Sequence, residues 1–359
     1  MAEAQIENEL YDQALAHANQ SIRITENTGS SARAYFLQGR AYWGLGLIDE
    51  SFESLKHALS LGFLTSQAQS SLNLIRDINT QQDVTLDLSY FDGQIEKDPD
   101  DPVAYYFKGL ANFARGNLDE AYADLDTSYT LGLQLPEVRS ARAYVALIQG
   151  DNEFAKYELV KMVEVAPKNP LFNAYYGESR LKSGDVLGAL DLLGSAIEIE
   201  PTLGLAYLNL SKTHLKMEND ELAKESLNAG AELDLPSPYQ YADRAEIHAY
   251  FEDYDSAFTD LATAIEINPE LSDPYHTRAK ILADMNDLDA ALIDSSLAIA
   301  HDPSAAKYFA FRGLIHSLMG ASDLSDADYE TAESLSQNSV SEIQDRKLSF
   351  FSDLKGQTK

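Results

Sequence analysis

Three histidines and five base–acid couples are the residues of this chain whose types and spacing could do chemistry. His214 and His248 lie 34 residues apart, and His316 follows after a further 68. Imidazoles at regular intervals are common metal ligands, so a metal site is the first reading to weigh. Lys108, Arg142, Arg244, Arg278 and Arg312 each precede an acid by 16 residues: Asp124, Glu158, Asp260, Asp294 and Asp328. Bases in series could bind phosphate. A ladder for phosphate would not need an acid matched to each base, so ion pairs inside the fold are the expectation. G-x-S-x-G, a phosphate loop, H-E-x-x-H and an EF-hand loop are all absent. Without cysteine there is no disulfide, thiolate metal site or cysteine nucleophile. Paired carboxylates carry no signal in a chain with 58 acids. The reading is a protein with no catalytic site, no cofactor and no metal.

The interval of 34 leads to the elements that must position these residues. AIEIEP at 196–201 and AIEINP at 264–269 are 68 residues apart, twice 34. Laid in rows of 34 from Pro102, the chain runs without insertion through Ser339. A row over 32–65 and a poorer one over 68–101 complete nine. Position 8 is small in most rows (Gly39, Gly109, Gly177, Ala245, Gly313), and so is position 20 (Ala121, Ala155, Ala189, Ala257, Ala291). Small residues at these offsets let two helices approach closely. Position 32 is proline in five rows, and proline ends a helix because it lacks an N–H and restricts the residue before it.

These residues resemble the tetratricopeptide repeat: an aromatic at position 4, small residues at 8, 20 and 27, and proline at 32. The resemblance covers 32–339, with 68–101 degenerate. It implies an all-α solenoid of helix–turn–helix repeats in a right-handed superhelix with a concave groove. Residues 1–31 then hold only the second helix of a repeat and a loop, and 340–359 a closing helix, for about twenty helices in all. The histidines share position 11, a core position. Equivalent helices lie about 10 Å apart, whereas zinc ligands sit about 2 Å from the metal, so core histidines are expected. Acids at position 18, such as Asp119, Glu153 and Asp255, fall in the first turn of each second helix, where they meet the positive end of the helix dipole.

The formal charge of −31 disfavours nucleic acid. No apolar run is long enough to span a bilayer, and the opening MAEAQIENELYDQ lacks the basic and apolar stretches of a signal peptide. The compartment is left open between the cytoplasm and, were an export signal or anchor to precede Met1, the cell envelope. The family's groove is lined by positions 2, 5, 6, 9, 12 and 13 of the first helix. Bases there (Lys182, Lys212 and Lys216 among them) outnumber acids by two. The bias is sharpest near the N-terminus, where Arg33, Arg40 and Arg76 stand without an acid beside Phe36, Leu37, Trp43, Tyr106, Phe107, Leu110, Phe113 and Tyr144. Arginine with aromatics on an exposed face is a hot-spot composition. The Lys/Asn carboxylate clamp of co-chaperone repeats and the asparagine ladder of some glycosyltransferase repeats are not reproduced. The expected function is a non-catalytic scaffold binding a protein or peptide in the N-terminal half of the groove. One alternative is a homo-oligomeric scaffold in which a terminal helix fills a neighbour's groove. Another is the targeting arm of a larger enzyme.

Overall fold

A computed structural model describes residues 11–25, 29–45, 47, 50, 53, 54, 57, 58 and 88–335. Seventeen helices and no strand occur among them. They divide between two compact units: residues 1–220 with 232–236, and residues 221–231 with 237–359.

The first unit holds α1 (Tyr11–Thr25), α2 (Gly29–Gly44), α3 (Leu88–Lys97), α4 (Pro102–Ala114), α5 (Leu118–Thr130), α6 (Pro136–Gln149), α7 (Asn152–Val165), α8 (Pro170–Lys182), α9 (Val186–Ile199) and α10 (Gly204–Lys216). The second holds most of α11 (Asp220–Ala229), then α12 (Pro238–Tyr250), α13 (Tyr254–Ile267), α14 (Ser272–Asp284), α15 (Leu288–His301), α16 (Ala306–Leu318) and α17 (Ser322–Leu335). Within each unit successive helices pack as antiparallel pairs and each pair stacks on the next, as in α6–α7 against α8–α9 and α12–α13 against α14–α15. This is an all-α solenoid. Of the row at 68–101 only residues from 88 onward are described, and the expected closing helix at 340–355 lies outside the described residues.

Local chemistry explains the pairing. Proline at the first helical position starts α4, α6, α8 and α12, where its missing N–H costs nothing. The turn into the second helix needs a left-handed residue at position 15. Gly116, Gly150, Gly184 and Gly320 supply it with φ between 79° and 98°, and Glu218, Glu252 and Asn286 also take positive φ, between 58° and 62°. The next residue caps the second helix: Asp151, Asp185, Asp253 and Asp287 each accept the backbone N–H three residues on.

The small positions are where paired helices touch. Ala121, Ala155, Ala189, Ala257 and Ala291 are fully buried. A Cβ on Gly109 would lie 2.7 Å from Leu125 Cγ, and one on Gly177 would lie 2.9 Å from Leu193. In the first unit these contacts merge into one core running from Phe36 to Ala206.

Candidate functional site

The five base–acid couples resolve into two kinds. In the second unit three arginines each grip one aspartate with two nitrogens. Arg244 Nε and Nη2 donate to Asp260 at 2.8 and 2.6 Å, and Arg244 Nη1 also donates to the Gly230 carbonyl at 3.0 Å. Arg278 donates to Asp294 at 2.7 and 2.8 Å, and Arg312 to Asp328 at 2.8 and 2.7 Å. These forks clamp the first helix of a repeat to the second.

In the first unit the pattern shifts. Lys108 Nζ is 2.8 Å from Asp92 of the preceding helix and 3.9 Å from Asp124, whose carboxylate also accepts from Asn112 at 2.9 Å. The expected Arg142–Glu158 pair is corrected. Arg142 Nη1 donates to Asp126 at 2.6 Å, with its guanidinium over the Tyr129 and Phe154 rings. Glu158 instead takes Arg139, whose Nη2 is 2.6 Å away. Arg139 occupies position 4, where most rows carry an aromatic, so a second base competes for the same acid.

The histidines are held within repeats. His248 Nδ1 lies 3.2 Å from Asp253 and Nε2 lies 3.9 Å from Asp260, while His316 is 3.8 Å from Asp328. Burial pulls His248 below the ordinary imidazole range, against the pull of Asp260 and Asp253. His214 is buried as well.

The aromatic groove expected at the N-terminal end is corrected too. Phe36, Tyr106, Phe107, Leu110, Phe113 and Tyr144 are all buried, none more than 4% exposed. The physical reason is stacking between neighbouring helices. Phe107 lies parallel to Phe91 of α3 at 6.4 Å. Phe113 meets Tyr144 edge-on at 5.8 Å, and Tyr144 stacks on Tyr175 at 3.7 Å. Rings at these inner positions fill the space between consecutive first helices. Leu37 is half-buried and Arg33 is exposed. Arg76 and the side chains of Arg40 and Trp43 lie outside the described residues.

A recess of about 690 Å³ opens further along the first unit. Its apolar side is Leu147, Leu181 and Leu215, one residue repeated every 34, with Ile148 beside the first. Its polar side is Lys182, Lys212 and Lys216, with Gly150 and Asn152 completing the rim. Helices α6, α8 and α10 supply most of it, with Asn152 from the start of α7.

A buried carboxylate underpins this arrangement. Glu178 is 4% exposed and accepts from Tyr144 Oη at 2.8 Å and from Asn209 Nδ2 at 3.1 Å. Lys182 Nζ is 3.6 Å from it and donates to the Leu147 carbonyl at 3.0 Å, at the C-terminal end of α6. An ammonium there complements the helix dipole. Burial would raise the Glu178 carboxyl, yet Lys212, Lys182 and the two hydrogen bonds hold it below the ordinary range. Glu178 is thus an anchor beneath the lysines.

The lysines stand in groove positions of the repeat, whereas the N-terminal aromatics are buried between helices. The signal that could have found the recess is the joint recurrence of leucine at 147, 181 and 215 and lysine at 182 and 216. Among the described residues no cluster of three or more His, Cys, Asp or Glu could hold a metal ion, and no helix is long and apolar enough to cross a membrane.

A tetratricopeptide repeat family model matches residues 32–61 and 205–235. Among solved structures, a chain of the APC/C hetero-tetramer Cut9–Hcn1 aligns over 96% of this chain and 76% of its own, at 14% identity and a TM-score of 0.59. Yeast Tom70 aligns over 99% of this chain and 95% of its own at 14% identity, with a TM-score of 0.45. MamA aligns over 45% and 94% at 22% identity, with a TM-score of 0.38. No curated protein sequence matches the chain. The class is set by the repeat match and the helical architecture together: the chain carries tetratricopeptide repeats in an all-helical solenoid, a fold that generally serves protein–protein interaction.

Proposed function

We propose that the chain is a non-catalytic interaction scaffold that holds a segment of another protein in the recess between α6, α8 and α10. The observation that carries this reading is the recess itself, whose lining combines aliphatic side chains with three lysines and no carboxylate. The earlier placement among the N-terminal aromatics loses its support, because those rings are buried. The division of the chain into a leading half-repeat (1–31), nine repeats over 32–339 and a closing segment (340–359) belongs to the same proposal.

The test is a selection of random displayed peptides on the full chain, followed by rescreening on two variants. Leu215→Glu places a charge on the recess wall, and Tyr157→Glu alters an exposed residue of α7 away from it. Binders should lose Leu215→Glu and keep Tyr157→Glu. Binders indifferent to Leu215→Glu would move the site elsewhere.

A further inference from the structure

Resting on the reading of the recess as the binding site, we infer that its occupant is an acidic peptide segment, in which carboxylates alternate with apolar side chains. The chain carries 58 acidic and 27 basic residues, so a lining drawn at random would hold more acid than base. This lining holds Lys182, Lys212 and Lys216 and no acid. The buried Glu178 beneath them accepts from Tyr144 and Asn209 and offsets part of the charge of Lys182 and Lys212, leaving an excess of base.

The second unit supplies the contrast. There each inner lysine has its own acid one repeat away, Lys280 Nζ lying 2.5 Å from Glu246 and Lys307 Nζ 2.5 Å from Asp273, whereas Lys182 and Lys212 share the single Glu178. Lys216 has no hydrogen-bond or ion-pair partner among the described residues, although it is exposed at the rim of the recess. Lys182 is held in place by the Leu147 carbonyl and Glu178, which presents its ammonium at a fixed position. A lining that joins ammonium groups to half-buried Ile148 and Leu215 matches a segment that offers both carboxylate and hydrocarbon.

A nucleic acid offers negative charge without aliphatic side chains. Its many phosphates would also meet the repulsion of a chain of charge −31 over their whole length. A short peptide presents a few carboxylates to the lysines and keeps the rest of its surface small.

The experiment uses the selected peptides. Those that depend on Leu215 should be enriched in Asp and Glu over Lys and Arg, with Leu, Ile or Phe interspersed. The most enriched peptide is then resynthesised with Gln for Glu and compared by fluorescence anisotropy on the full chain. The Gln peptide should bind at least about tenfold more weakly, and Lys216→Glu should weaken the acidic peptide by about tenfold while leaving the Gln peptide within about twofold. Lys216 is exposed at the end of α10, and circular dichroism melting of the variant checks that the fold is retained. Leu215-dependent binders without acid enrichment, or equal affinity for the Glu and Gln peptides, would overturn the acidic assignment and leave the scaffold reading standing. A selection with no Leu215-dependent binder overturns both. Displacement of the acidic peptide by an equal concentration of single-stranded oligonucleotide would overturn the peptide assignment in favour of a polyanion.

Discussion

Tyr144 and Glu178 stand at the same place in consecutive repeats, and the phenol donates to the carboxylate at 2.8 Å in a buried setting. Asn209, from the next repeat, donates to the same oxygen at 3.1 Å. One acid therefore ties α6, α8 and α10 together. A hydrogen bond to a buried charge is worth about 1.5–3 kcal/mol, so Tyr144→Phe should lower stability by that amount in urea unfolding at pH 7. The carboxyl is held below its ordinary value of 4.5, so its stabilisation is present at neutral pH. It is lost as the pH falls below that value through the folded-state pKa. The cost of Glu178→Gln should accordingly be large at pH 7 and shrink in acid. A cost independent of pH would show that Glu178 is not the charged anchor described.

Glu137 should behave in the opposite sense. It is buried, its Oε2 has no hydrogen-bond partner, and desolvation pushes its carboxyl up to about 7. A raised carboxyl favours folding while protonated, and that advantage is lost as the pH rises from the unfolded value through about 7. Glu137→Gln should stabilise the chain by about 1–3 kcal/mol at pH 8, with the gain closing towards pH 5. Urea titrations at the two pH values decide it.

Coupling should follow the observed geometry. Removing either partner of the buried Arg244–Asp260 fork leaves an uncompensated charge and should cost about 3–5 kcal/mol, with the double variant costing much less than the sum. Arg142 and Glu158 should be additive within about 0.5 kcal/mol, because each has another partner. Coupling between Arg142 and Glu158 as strong as between Arg139 and Glu158 would contradict the structure.

Helix contacts can be separated from helix propensity with two glycines. A methyl on Gly177 would meet Leu193 at 2.9 Å, whereas one on Gly194 meets nothing within 4 Å. Gly177→Ala should cost about 1–3 kcal/mol by overpacking, and Gly194→Ala should gain about 0.5–1 kcal/mol in the same thermal melts. At Ala257, fully buried between α12 and α13, leucine should be costly and serine nearly silent.

Salt should act on acidic-peptide binding in two directions. At low ionic strength the −31 chain repels an acidic segment at long range, so association should quicken as salt is added. Dissociation should quicken too, as the lysine contacts weaken. Stopped-flow measurements between about 20 and 300 mM salt separate the two rates. Association that slows steadily with salt would place the ligand's charge elsewhere.

The repeat was legible because it is written in residue size: glycine or alanine at positions 8 and 20 has one physical use, which is to let two helices meet. Capping was half legible. The acids at position 18 stand out in the sequence, but the carboxylates that accept the free N–H groups are those at position 16, Asp151 and Asp185 among them. The function was harder to place. An aromatic at an inner position reads as a hot spot when the neighbouring helix is left out of account, and Tyr144 loses all its exposure to Tyr175, Phe113 and Glu178. The partner switch of Arg142 depends on Arg139 one turn away, which a comparison of columns taken two at a time does not register.

The leucines at 147, 181 and 215 are one residue displaced by successive repeats, and so are the lysines at 182 and 216. Packed helices lie about 8–10 Å apart, and an extended chain advances about 3.3 Å per residue. On the proposed reading, a strand laid across α8 and α10 would meet Lys182 and Lys216 about three of its own residues apart. The recess would then act as a ruler, with a tick mark set by helix diameter. In that proposal, acids spaced in threes would match the lysines of α8 and α10, and acids spaced in twos would not.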